Sequence, residues 1–376
     1  MTGLGAMRLS DAMVLVSLAA LCFPALALIR LGDGLVFPHY IALALAMPLL
    51  LLLRPLTIAP ALPVIAMIVL SSLLNAYTVA LPIAVFHSLH LAAAALLASC
   101  PAPLALRFAK ATLLIYAVTI LLTQVLVAVG LHGLVEGLLV QQEGLTNTRV
   151  SSFATEPSYA SMIMLILTRF VLVTNVNWLT LRRLALILGA LLASLSLFAL
   201  ISAILILAMY LLERGATRAA LGGLLSGVVM LVGLSFTDFF LLRLTALDLS
   251  QGALGLGTGT IRLLPYIYMF DILPENPWPL LVGAGAGALE PGFFEEVGQY
   301  ATSANQLSTQ MAGPIYDYGL PTILIILLVW NRPKGLAARA LFILMSLVIM
   351  MNTGLGTYLF VLFGTFALLE QRLKSS

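Results

Sequence analysis

Apolar stretches recur from one end of the chain to the other, near residues 12–29, 36–53, 61–76, 81–99, 111–134, 158–174, 219–236, 316–331, 340–352 and 355–369, with short polar breaks between them. A helix needs roughly 20 apolar residues to cross the hydrocarbon of a bilayer. These runs are rich in Leu and Ala and alternate little, which predicts helices rather than barrel strands. The stretch 184–212 would reach roughly 44 Å as one helix, too long for a single span, yet it is short for two full ones. Arg182 and Arg183 precede it, and Arg214 and Arg218 follow it. Both ends therefore belong on one side, which predicts two short helices or a re-entrant hairpin turning near Ser194 and Ser196. The pattern predicts an all-α integral membrane protein with about twelve transmembrane helices, residues 1–376 forming one polytopic membrane domain. Its first run, Ala12 to Ile29 behind Arg8, is too long for a secretion signal and lacks a small-residue cleavage pattern, so it is expected to be a retained helix.

Composition agrees. Of the 376 residues 62% are hydrophobic and only 9% charged, and the mean hydropathy is +1.12, whereas soluble domains carry about 25% charged residues. The two cysteines, Cys22 and Cys100, fall in or at the edge of apolar runs, which suggests neither a disulfide framework nor a thiolate metal site. No internal repeat of a transporter kind is present, and nothing points to nucleic acid.

Charge adds an orientation, because Lys and Arg of short loops are retained on the cytoplasmic side. With both termini there, the basic residues of every inner break fall inside. Of 18 basic residues only Arg30, Arg149, Arg243 and Arg262 fall outside, and of the acidic residues only Asp11, Glu213 and Glu370 fall inside. Two outer loops are then long, 136–157 and 237–315. Long loops on a compact scaffold tend to be functional or disordered. The second carries Tyr266, Tyr268, Phe270, Trp278, Phe293 and Phe294, so it is expected to be folded, with Ile261 to Ile272 lying along the interface.

Candidate chemistry concentrates in these loops. The first contains Arg149-Val-Ser-Ser-Phe-Ala-Thr-Glu156-Pro157-Ser158-Tyr159 and runs straight into a helix. Pro157 suits a first helical turn and Glu156 the positive helix end, which is the plain structural reading. Against it, Arg149 is a rare outer cation, and a guanidinium beside a helix start suits phosphate oxygens. The second loop holds Gly257-Thr-Gly-Thr-Ile-Arg262, then Asn276-Pro277-Trp278 and Gly283-Ala-Gly-Ala-Gly287. The glycine run lacks the strand, helix and acid of a nucleotide fingerprint and reads first as a turn. Arg262 is a second isolated outer cation, expected to meet Arg149 over a common cavity, since two planar forks can hold a pyrophosphate. His87 and His90 lie three apart on one helix face but have no nearby carboxylate or cysteine, so no metal is expected. His39 and His132 sit near outer helix ends and read as interfacial residues rather than catalysts, from where either can line a cavity.

These landmarks, from Arg149 to Ala160 through Ser194 and Ser196, Arg262, the Asn-Pro and glycine runs to Tyr316-Asp317-Tyr318-Gly319-Leu320-Pro321, resemble the O-antigen polymerase and ligase superfamily, in particular its Wzy-type polysaccharide polymerases. The resemblance spans about residues 110–370. It implies a metal-independent, cofactor-free membrane glycosyltransferase of the GT-C type in the bacterial inner membrane. Such an enzyme takes a glycan from an undecaprenyl pyrophosphate carrier on the periplasmic face and joins it to a lipid-linked repeat unit. A chain-length regulator and a flippase of the same pathway would be its partners. By the same resemblance Arg149 and Arg262 bind pyrophosphate. Glu156 and Asp317, which adjoin helix ends within the motifs, are the favoured bases ahead of Glu295 and Glu296, and His132, Tyr159, Asn305 and Gln310 are candidates to line the cavity. Superfamily ligases use an outer-loop histidine before the closing helix, but residues 303–316 here contain none. A ligase acting on lipid A core is the rival within the class. A lipid-linked sugar flippase is the rival outside it, although a flippase would require more polar residues inside the spans.

Overall fold

The computed structural model describes residues 8–24, 29–31, 34–36, 38–75, 80–131, 134–135, 139–140, 149–150, 154, 157–194, 196–235, 258–289, 293, 311–330, 335–351 and 353–375. These residues are predominantly helical, with two short antiparallel ribbons. Among them Pro55–Leu74, Ala102–Ala128 and Pro157–Trp178 are long and apolar enough to cross a membrane, and several apolar helices are shorter. The coarse reading, a helical membrane protein, fits these helices. The chain divides into two compact units, one of Met1–Thr57, Ala93–Leu224 and Leu362–Ser376, the other of Ile58–Ala92 and Leu225–Val361.

The first unit contains α1 (Leu9–Cys22), β1 (Ile29–Leu31) paired with β2 (Gly34–Val36), and α2 (Pro38–Leu53). The last turn of α4 (Leu81–Leu97) leads into α5 (Ala102–Ala128), and a second ribbon pairs β3 (Leu139–Val140) with β4 (Arg149–Val150). α6 (Pro157–Asn175), α7 (Leu181–Ala193), α8 (Leu197–Glu213), the start of α9 (Thr217–Ser235) and the body of α15 (Tyr358–Ser375) follow. α6 is the centre: nearly every side chain from Pro157 to Leu172 is buried, as expected of a helix that is apolar all round. It packs on α5 and α8, α5 packs on α7, and Phe170 meets Phe366 of α15 at 4.8 Å between centroids.

Charged groups of this unit pair where helix ends meet. Arg169 makes a two-bond contact with Glu370, Nε to Oε1 at 2.9 Å and Nη2 to Oε2 at 2.7 Å, both side chains being less than a tenth exposed. Arg54 donates to Asp11 Oδ1 at 2.6 Å, Ser10 Oγ at 2.7 Å and Ser99 at 2.8–2.9 Å, and Arg372 donates to the Ala98 carbonyl at 2.7 Å. All of these ionic groups belong to the set that the charge pattern assigns to the cytoplasm. Burial, and after it the Asp11 carboxylate, pushes the Cys100 thiol up to about 12, so it stays protonated and unreactive.

The second unit contains α3 (Leu62–Leu74), entered through a 3-10 turn at Pro55–Ala61, and most of α4. Within the long loop lie α10 (Thr258–Ile272) and α11 (Trp278–Val282), followed by α12 (Ala312–Tyr318), α13 (Leu320–Trp330) and α14 (Leu336–Met350). The described part of the loop is folded, as its aromatic content predicts. Met269, Leu273, Leu289, Phe293 and Ala312 form a core of their own, covered by Tyr266, Tyr268, Leu280 and Ile315.

Three expectations need correction. α1 ends at Cys22, and Ile29 belongs to a ribbon instead of the first span. α5 starts at Ala102 rather than 111, because Pro101 and Pro103 set a helix start and Arg107 and Lys110 are tolerated in its first turns, where long cationic stems can reach toward the polar boundary. The expected span 316–331 is two helices broken at Gly319, whose φ of +81° ends α12 just before Pro321. The stretch 184–212 does form two short helices, with buried Ser194 and Ser196 at their facing ends.

Candidate functional site

In the second unit the Tyr316-Asp317-Tyr318-Gly319 motif and the glycine run, about thirty residues apart in sequence, fold onto each other. The segments first pair through the backbone: Ala284 N–H donates to the Tyr316 carbonyl and Gly285 N–H to that of Asp317, both at 2.9 Å. Ser71 Oγ of α3 donates to the same Asp317 carbonyl at 2.7 Å, and Asn75 Nδ2 donates to the Gly283 carbonyl at 3.2 Å. The Asp317 side chain then closes the loop, Oδ2 accepting Gly287 N–H at 2.8 Å and Oδ1 accepting Leu289 N–H at 3.4 Å.

Glycine is needed here for two separate reasons. Gly283, Gly285 and Gly287 all have φ between +75° and +96°, a region that L side chains rarely occupy. At Gly283 a Cβ would also collide with Ser71 Oγ and the Asp317 carbonyl. Asp317 is 4% exposed. Geometrically it is an anchor, with oxygens that accept backbone donors and fix the loop against the start of the closing helix.

A second pair adjoins it. Tyr318, fully buried, shares a hydrogen bond of 2.8 Å with His87 Nδ1 of α4, the rings crossing nearly perpendicular at 5.6 Å. His87 Nε2 has no hydrogen-bond partner among the described residues and faces the Gly356 backbone, where an added Cβ would lie 3.3 Å from it and 2.9 Å from Phe86. His90 is turned to the Phe86 carbonyl, 2.8 Å from its Nδ1. Through Nδ1 the two histidines serve different neighbours. The sequence places both on one helix face but gives no sign of the tyrosine partner, which lies more than two hundred residues on.

Tyr266 of α10 ties the long loop to the same unit. Its hydroxyl donates to the Met350 carbonyl at 3.2 Å and accepts the backbone N–H groups of Met311 and Ala312 at the start of α12. Burial raises its pKa well above the ordinary phenol value, and the two N–H donors offset only part of that rise. Tyr266 is a neutral clasp.

The other sequence-derived candidates separate as follows. Arg262 is placed by its backbone one helical turn before Tyr266, in the second unit, and Arg149 by its backbone on β4, opposite Val140 in the first. Their side chains lie outside the described residues, as do His132, Glu156, Asn305 and Gln310 entirely. Tyr159 is half-buried on the first turn of α6, where Ser161 Oγ donates to the Pro157 carbonyl at 2.8 Å. Of the two favoured carboxylates, then, only Asp317 has a described environment. No protein-family model matches this chain, and no curated protein or solved structure is significantly similar to it.

Proposed function

We propose that this chain is a polysaccharide polymerase of the bacterial inner membrane, transferring glycan from an undecaprenyl pyrophosphate-linked donor onto a lipid-linked repeat unit at the periplasmic face. Twelve crossings, cytoplasmic termini and a metal-independent GT-C organisation belong to the same reading. The observation that carries it is the order and sidedness of the motifs from Arg149 to Pro321. The fold gives support at one point: the last two motifs, the glycine run and the Asp317 segment, form one hydrogen-bonded unit.

In the reaction an acceptor hydroxyl attacks the anomeric carbon, the bond from that carbon to the pyrophosphate oxygen breaks, and the lipid pyrophosphate leaves with the bonding pair. Arg149 and Arg262 are assigned to that developing charge. The hydroxyl proton passes to a carboxylate. Since Asp317 already accepts two backbone N–H groups, Glu156 is the better base and Asp317 the positioning residue. The decisive assay is in vitro polymerisation of a lipid-linked repeat unit. Glu156→Gln should abolish chain extension and Arg262→Lys should impair it, because a point charge does not reproduce a planar fork. Full extension by both Glu156→Gln and Asp317→Asn, with loss in His132→Ala, would overturn the assignment. Single additions onto lipid A core would identify a ligase. Cysteines at 250 and 299 should label from the periplasm and one at 217 should not.

A further inference from the structure

Two cations and an indole meet where α5, the turn after α6 and the start of α7 come together. Lys110 Nζ lies 5.5 Å and Arg183 Cζ 4.7 Å from the centre of the Trp178 ring. The tryptophan is fixed through its own backbone: its N–H donates to Asn175 Oδ1 at 3.2 Å, and its carbonyl accepts Arg183 Nη1 at 2.7 Å and the Thr180 N–H at 3.0 Å. The carboxylates of Asp11 and Glu370 face Arg54 and Arg169, away from this ring. Two positive groups share one ring, and among the described residues no ion pair involves either of them, an arrangement that an anion would relieve.

Apolar surface runs along α5 beside this cluster, beginning about a quarter-turn round the helix from Lys110. On α5 the exposed residues Ile115, Val118, Leu122 and Val125 follow at three- and four-residue spacing, one stripe along the helix, and exposed Arg107 stands on the same stripe before Ile115. Leu181, 72% exposed, opens α7 beside Arg182 and Arg183. A soluble phosphate needs only the cations. Cations at the foot of an exposed apolar stripe, on a helix able to cross a membrane, match an amphiphile with a phosphate head.

We propose that Lys110, Arg183 and Trp178, with Arg107 and Arg182 at the rim, form a headgroup site for an anionic phospholipid. The phosphate sits between the two cations beside the indole, and an acyl chain lies along Val118 and Val125. The site is on the side that the charge pattern assigns to the cytoplasm, where anionic headgroups attract basic residues. It uses none of the residues assigned to the glycan donor.

Trp178 is its own reporter once Trp278 and Trp330 are replaced by Phe. The full-length protein would be reconstituted in phosphatidylcholine vesicles doped with brominated phosphatidylglycerol or brominated phosphatidylcholine. Trp178 emission should be quenched at a several-fold lower mole fraction of the anionic lipid. Lys110→Gln with Arg183→Gln should abolish that preference, since each charge near the surface contributes about 1 kcal/mol, and high salt should weaken it in the otherwise unsubstituted protein. Equal quenching by the two lipids overturns the proposal, as does a preference that survives both the substitutions and the salt. Glycerol 3-phosphate added to vesicles free of anionic lipid should leave the emission unchanged. A saturable change there would assign the site to a soluble phosphate and remove the lipid.

Discussion

The two units hold buried polar groups by different means. In the first, full charges face each other, Arg169 on Glu370 and Arg54 on Asp11. In the second, Asp317 is held by backbone N–H groups, and the residues that make this possible are glycines without any charge. The first arrangement depends on side-chain identity and tolerates changes in the backbone path around it. The second depends on backbone shape. Charge-removing substitutions should therefore damage the first unit most, and substitutions that add a Cβ should damage the second.

The largest effect is expected for Glu370→Ala, which removes the carboxylate that faces buried Arg169, at about 3–5 kcal/mol. Arg169→Met with Glu370→Leu should recover much of that loss, because replacing both partners by apolar groups is often neutral. Thermal unfolding of the detergent-solubilised protein reads both, and a double variant as unstable as the single one would mean that the pair does more than satisfy itself. Next comes Gly283→Ala. The positive φ alone disfavours alanine by about 1–3 kcal/mol, and the collision with Ser71 and the Asp317 carbonyl adds to it. A Gly283→Ala protein with an unchanged unfolding midpoint would refute the backbone account of this loop.

Asp317→Asn should destabilise by about 2 kcal/mol, since an amide NH2 would then face one of the N–H donors. This variant sharpens the comparison, because a lowered midpoint with chain extension retained marks an anchor, whereas lost extension at a normal midpoint marks a base. Tyr318→Phe strips His87 Nδ1 of its partner and should cost about 1 kcal/mol. Its measurable trace is a weakened unfolding midpoint that His87→Phe combined with it does not lower further. The smallest effect is expected at Asp11→Asn, below about 1 kcal/mol, because Arg54 keeps Ser10 and Ser99 and the pair is partly solvated.

Much of the helical framework was legible because hydrophobic runs and their polar breaks are local properties. The two short helices meeting at Ser194 and Ser196 followed from length and from the arginines at both ends. Errors came where local signals competed. The charges at Arg107 and Lys110 suggested a later start for α5 than its two prolines impose, and the apolar run after Tyr316 concealed the break at Gly319. At the candidate site, Asp317 and the glycine run were each visible as motifs, but their mutual attachment was not. Nothing in either segment encodes a partner some thirty residues away, and hydrogen bonds to backbone leave no trace in side-chain type.

What the sequence determined by itself is the class of molecule, a helical membrane protein, since it follows from sums over residues that each solvent environment sorts independently. Only the tertiary structure decided what each polar group does: that Glu370 neutralises Arg169, that Tyr318 meets His87, that two cations gather at Trp178, and that Asp317 holds a loop. Those assignments rest on proximity between distant segments, which chain packing sets and no single segment records.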